Sequence, residues 1–221
     1  MELVCLGANN PETIRVINAI KKVNEDFRFL GFVDNDESKW GKMFFGYPIF
    51  GGMSEVDRLS EEGAVFCNLI TRDCVTRYET TKLLIENGAK LANLVHPNVN
   101  LEMVRLGVGN YIQESVILQA EVRIGDNSSI SMGTTIGHET IIGNSVFIAG
   151  GSNLSGKITV EDGVFIGTGA TIIPRVKIGR WATIGAGTVI IRDVPPYKVV
   201  VGNPGIVIKS ADEKYTSGDV F

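Results

Sequence analysis

The chain has 221 residues, room for two modest domains, with a formal net charge of −4 and a pI near 5.3. That balance, with no basic block and no RNA-binding aromatic motif, argues against a nucleic-acid partner. The apolar runs fall far short of the roughly 18 residues a membrane span needs. No basic stretch, apolar run and small-residue cleavage site open the chain. Cys5, Cys67 and Cys74 include no CxxC pair and read as the reduced thiols expected of a cytoplasmic protein, not as a metal site or disulfide framework.

Residues 2–6 read as a buried strand. Asn10 suits a helix N-cap and Pro11 the first helical position. The helix that follows runs to about Val23, with Val16, Ile17, Ile20 and Val23 on its buried side and Ile14 at the margin. Residues 27–33 predict a second strand, ending in Asp34-Asn35-Asp36. Tyr47 to Phe50 is a short extended piece, and Ser54 with Asp57 makes a capping-box-like helix start. A third strand over 64–70, a helix from about Asp73 to Glu86 stopped by Asn87-Gly88, and a fourth strand over 90–95 complete the alternation. It predicts a small parallel α/β unit over 1–97. Ligands of such sheets bind beyond the carboxyl ends of the strands, here Gly7–Asn10, Asp34–Asp36 and the Ile70–Asp73 region. The first loop aims a helix N-terminus and backbone N–H groups at that edge, but it carries no GxGxxG, which argues against an NAD-type site.

From Leu106 to Ile190 an aliphatic residue recurs every six positions, fifteen times without a miss. Four residues after each comes a small or β-branched side chain, with Asn110 and Ile158 the departures. Glycine often follows the aliphatic, as at Gly125, Gly137 and Gly143. A period of six fits a solenoid in which each hexapeptide is one short strand and one corner. Three hexapeptides make an 18-residue triangular coil, so 106–195 gives five coils, about 24 Å tall at the usual strand spacing. Asp193-Val194-Pro195-Pro196 ends the coils, and the tail 210–221 is expected to be polar and frayed.

The chain has two histidines. His138 lies two residues past an axial aliphatic, at a corner facing outwards, where an imidazole suits a general base. The alternative is an ordinary exposed corner. Glu139 beside it is placed to orient the ring. One coil further on is Gly156, whose N–H suits an oxyanion, or whose lack of a side chain merely serves the corner. His96, before a proline at the domain junction, reads as structural. One repeat histidine is too few for the three that γ-type carbonic anhydrases use to hold zinc, and no other cluster has metal-ligand spacing. Small residues at 149–151, 167–170 and 185–187 leave a shallow surface for a thin group such as pantetheine. Arg175, Lys177, Arg180, Arg192 and Lys198 are candidate phosphate partners.

With its hexapeptide run, His138-Glu139, and Val201-Gly202-Asn203-Pro204 after an Asp-Val-Pro turn, the chain resembles the PglD/NeuD-type bacterial sugar acyltransferases. The resemblance implies a Rossmann-like α/β domain followed by a left-handed parallel β-helix over 98–209. It implies a homotrimer with active sites between adjacent β-helices. It implies acetyl-CoA as donor, no metal, and as acceptor the amine of a nucleotide-linked amino sugar of polysaccharide biosynthesis, or a sialic acid hydroxyl. His138 matches the family's base, Glu139 its acidic neighbour, and Gly156 the glycine facing the thioester oxygen. Thr168 and Ala186 fall where acetyl-CoA is contacted. Phe147 stands where relatives often carry a second histidine, so any CoA contact there is apolar. Asp34-Asn35 matches an Asp-Asp pair at the nucleotide-sugar site, to which Asn9 and Asn10 of the first loop are adjoined. That loop departs from the family's Gly-Ala-Ser-Gly-His-Gly. A non-catalytic scaffold or sugar-nucleotide sensor is the rival of another class.

Overall fold

The computed structural model describes residues 1–71 and 73–211. Strand β1 (Glu2–Leu6) runs parallel to β2 (Arg28–Val33) on one side and to β5 (Val65–Asn68) on the other, and β5 pairs with β6 (Lys90–Leu91). Helix α1 (Glu12–Val23) follows β1. Asn10 caps it by accepting from the Glu12 N–H at 3.0 Å, and Pro11 already has helical angles, φ −59° and ψ −24°. Val16, Ile17 and Ile14 are buried under the sheet, but Val23, the last residue of the helix, is exposed. The expected Ser54 cap does not form. A 3₁₀ turn over Met53–Glu55 leads into α2 (Val56–Glu61), and Arg58 instead pairs with Glu55 and Glu62. The pair β3 (Met43–Phe44) and β4 (Tyr47–Pro48) lies before it.

Helix α3 (Cys74–Glu86) is capped by Asp73, whose carboxylate accepts from the Thr76 N–H at 2.6 Å. The single fourth strand expected over 90–95 is two pieces. Strand β6 closes the α/β sheet, whereas β7 (Leu94–Val95) pairs with Tyr111–Ile112 and so starts the solenoid.

From there each hexapeptide contributes a two-residue strand that pairs, in parallel, with the strand 18 residues on. Three sheets result. The first side stacks Ile117–Leu118, Thr135–Ile136, Asn153–Leu154, Thr171–Ile172 and Val189–Ile190. The second runs from Arg105–Leu106 to Lys177–Ile178, and the third from β7 to Lys198–Val201 and Ile206–Ser210. The axial aliphatics pack into one core, Leu106 at its margin. Ile158 is accommodated there without exposure. Asn110 is also fully buried, and its side chain bridges coils, donating to the Gly125 carbonyl at 2.9 Å and accepting from the Ser128 N–H at 2.8 Å. The glycines after the aliphatics serve close approach of coils: a Cβ on Gly137 would lie 2.5 Å from the Gly156 nitrogen. Ile206–Ser210 turns back antiparallel on Lys198–Val201, so Ser210 ends a strand, and the rest of the expected tail, 212–221, lies outside the described residues.

The α/β unit packs on the third side. Arg77 of α3 is fully buried there. Its guanidinium donates to the carbonyls of Asn127 (2.6 Å) and Ile70 (3.1 Å), and Thr81 donates to Asn127 Oδ1. Burial lowers the Arg77 pKa to about 10, so the group remains charged at neutral pH. Replacing Arg77 by alanine orphans buried carbonyls and leaves a cavity. Chemical denaturation should read a loss of about 2–4 kcal/mol. The three cysteines are buried and free, and burial pushes Cys67 up to about 11 and Cys74 up to about 12.

Candidate active site

The edge between the first and second sides carries Gln119, His138, Glu139, Gly156 and Lys157 on successive coils. Each corner from Gly109 to Gly187 turns through a left-handed residue three positions after the aliphatic, and here these are Glu121 (φ 62°), Glu139 (58°) and Lys157 (62°). That turn throws the Glu139 carboxylate back alongside its neighbour. His138 Nδ1 lies 2.9 Å from Glu139 Oε2. A carboxylate only accepts, so Nδ1 carries the proton, and in the neutral ring Nε2 then keeps its lone pair. The carboxyl of Glu139 is held below its usual range, first by His138 and then by Lys157, whose ammonium is 3.4 Å from the same oxygen.

His138 Nε2 lies over Gly156. A Cβ on that residue would stand 2.7 Å from it. Corner amides at this position are elsewhere capped by a side chain one coil away: Gln119 accepts from the His138 N–H, Gln113 from Met132 and Glu161 from Arg180. The residue that would cap Gly156 in this way is Gly137, which has no side chain. Among the described residues no acceptor takes the Gly156 N–H. A ring nitrogen and an uncapped backbone donor thus lie side by side. A groove of about 390 Å³ leads to it across the first side, lined by Ile117, Gln119, Thr135, Asn153 and Gly156 among others.

Thr168 and Ala186 lie on the opposite edge of the first side, between it and the third. There a cleft of about 620 Å³ is lined by Arg15 of α1, Glu114, Met132, Gly150, Gly151 and Thr168. Arg15 pairs with Glu12 and with Glu114 at 2.9 Å. The amides of Gly150, Thr168 and Ala186 also have no acceptor among the described residues; the residues 19 before them are Ser131, Ala149 and Gly167, too short to cap. Phe147 reaches neither groove. It stacks on Phe165 (5.1 Å between ring centroids) beneath α3, with Cys74, Tyr78 and Trp181.

At the α/β edge, Asp34 is buried and already engaged. Its carboxylate accepts from the Ala8 N–H (2.8 Å), the Asp36 N–H (2.9 Å) and Lys39 (2.9 Å). Lys39 also donates to Asn9 Oδ1, and Trp40 Nε1 to the Asp34 carbonyl. Lys39 was not legible as part of this cluster from the sequence. Asn35 and Asn10 are exposed. Of the candidate phosphate partners, Lys177 pairs with Glu161 at 2.6 Å and Lys198 donates to Ser210. Arg175 and Arg192 form no ion pair among the described residues and share the His138 edge. His96 holds a turn through Asn98. No cluster of three potential metal ligands occurs among the described residues. No described helix is long and apolar enough to cross a membrane.

Residues 157–192 match the bacterial transferase hexapeptide (six repeats) family, and 116–150 the hexapeptide repeat of succinyl-transferase. A comparison with curated proteins finds no match. PerB from Caulobacter crescentus, solved in complex with CoA and GDP-perosamine, is 27% identical, with a TM-score of 0.83 over 95% of this chain and 98% of that one. The acetyltransferase domain of PglB from Neisseria gonorrhoeae FA1090, in complex with acetyl coenzyme A, is 26% identical, with a TM-score of 0.80 over 94% and 98%. WeeI from Acinetobacter baumannii AYE shares the fold at 23% identity and a TM-score of 0.78, over 94% of this chain and 100% of that one. The repeat, the grooves and these likenesses define a hexapeptide-repeat, acyl-CoA-dependent acyltransferase. Within that class the chain is similar to PerB and the PglB acetyltransferase domain, as the expected resemblance to sugar acyltransferases implies.

Proposed function

We propose that this protein transfers the acetyl group of acetyl-CoA to the amine of a nucleotide-linked amino-deoxy sugar, in the cytoplasm and without a metal. The observation that carries the mechanism is the free Gly156 N–H beside the free His138 Nε2. The amine attacks the thioester carbonyl while Nε2 takes its proton. Gly156 holds the oxyanion, the C–S bond breaks, and the CoA thiolate leaves, taking up the proton. Glu139 fixes the tautomer. No cysteine lies in the repeat to carry the acyl group, which favours direct transfer. The complexes of PerB with CoA and GDP-perosamine and of PglB with acetyl coenzyme A support the two substrate classes.

In this reading the α/β unit, 1–97, receives the nucleotide sugar through Asn9, Asn10, Asn35 and the Asp34 cluster, and 98–209 carries the chemistry. The uncapped amides of Thr168 and Ala186 suit the carbonyls of pantetheine. They lie across the first side from His138, on the other edge of the prism. One chain therefore presents two half-sites, and a homotrimer in which the His138 edge of one copy meets the Thr168 edge of the next completes them. Phe147, covered by α3, serves packing.

Gly156→Ala tests the geometry. The new methyl falls on the imidazole, so the ring swings away while the coil persists. Turnover should fall roughly 10²-fold, as misplacement of about 1 Å does, with the thermal midpoint nearly unchanged. Paired amino- and hydroxyl-sugar nucleotides decide between N- and O-acetylation: product with the hydroxyl acceptor alone would replace this reading by the sialic-acid-type one.

A further inference from the structure

Lys157 has no part in the reaction as written, yet it brackets the dyad. Its amide donates to the His138 carbonyl at 2.8 Å, and its ammonium stands 3.4 Å from the Glu139 oxygen that accepts from His138 Nδ1. The left-handed corner residues on four successive coils are Glu121, Glu139, Lys157 and Arg175, two carboxylates below two cations. Glu121 is taken up by Arg123 at 3.9 Å, and Arg175 makes no ion pair among the described residues. The charged groups around the dyad are thus Glu121, Arg123, Lys157 and Arg175, and only Lys157 contacts it.

We infer that Lys157 is a positioning residue acting through Glu139: it pins the carboxylate on His138 Nδ1 and so keeps the proton on that ring nitrogen. A carboxylate oxygen shared by two donors cannot rotate away from one without losing the other. The three side chains are about half exposed, so the effect is modest. The lowered Glu139 pKa, with His138 as first cause and Lys157 as second, agrees with this arrangement.

The inference rests on His138 as base, and its test is kept separate from that reading by the ring 15N shifts of His138, which report the tautomer and need no turnover. Lys157→Met should raise the share of the Nε2–H tautomer and lower kcat about 3–10-fold, with KM for acetyl-CoA unchanged. In a Glu139→Gln background it should change neither further, and Lys157→Arg should restore both. An unmoved tautomer balance overturns the inference. So does an equal effect in the Glu139→Gln background, or a raised KM for acetyl-CoA at unchanged kcat, which would make Lys157 a phosphate contact. Absent turnover in the unsubstituted protein with a moved tautomer balance would instead count against the reaction, and leave Lys157 assigned.

Discussion

His138→Ala should lower turnover by about 10²–10⁴-fold and leave the fold intact. The side chain is about half exposed, and its own backbone contacts, the N–H on Gln119 and the carbonyl under Lys157, survive the change. What is lost is the acceptor at Nε2. The rate should fall in kcat, with acetyl-CoA binding retained, because in the proposed reaction the ring meets the reacting amine and not the body of the donor. The pH profile carries a second signature. Glu139 is held below the usual carboxylate range by His138 and then Lys157. Its contribution is therefore complete above the ordinary carboxylate pKa and is lost as pH falls through the lowered one, so the dyad stays assembled through the weakly acidic range. Steady-state thiol release and circular dichroism on the variant check both points; near-unchanged turnover would remove His138 from the mechanism.

The second large effect is a rescue. Thr168→Trp fills the small-residue edge and should abolish transfer in the homogeneous protein, as His138→Ala nearly does. If the site is completed between copies, co-assembly of the two inactive variants at equal amounts regenerates intact sites. Random mixing in a closed three-fold ring pairs an intact His138 edge with an intact Thr168 edge at about a quarter of the interfaces, so about a quarter of the activity should return. Activity that stays at the level of the separate variants, after subunit mixing is verified, places both edges' functions within one chain.

The fold was legible because a solenoid repeats its packing requirement in every coil. Each axial aliphatic faces the same core, so the period identified Ile136, Leu154 and Ile172 as filler and His138 as outward-facing. The period also put Gly156 over His138. It did not show why the Gly156 amide is free, which depends on the absence of a capping side chain at Gly137. Nor did it show the left-handed backbone at Glu139 and Lys157, since those side chains tolerate many conformations. Outward residues carry no mark of which side is covered, and so Phe147 was aligned with a ligand position while α3 lies over it. In the α/β unit the strands were read from their apolar runs. The Asp34 cluster was not, because Lys39 reaches back from beyond the strand to join Asp34 and Asn9, a contact set by the loop path.

The most direct test is thiol release from acetyl-CoA by the purified protein with UDP-, dTDP-, GDP- and CMP-linked amino sugars, with mass spectrometry of the product. The account predicts acceptor-dependent release with at least one of these, a product heavier by one acetyl group on the amine, and loss of both with His138→Ala. Acetyl-CoA binding without transfer to any of them, or transfer undiminished in His138→Ala, would contradict it.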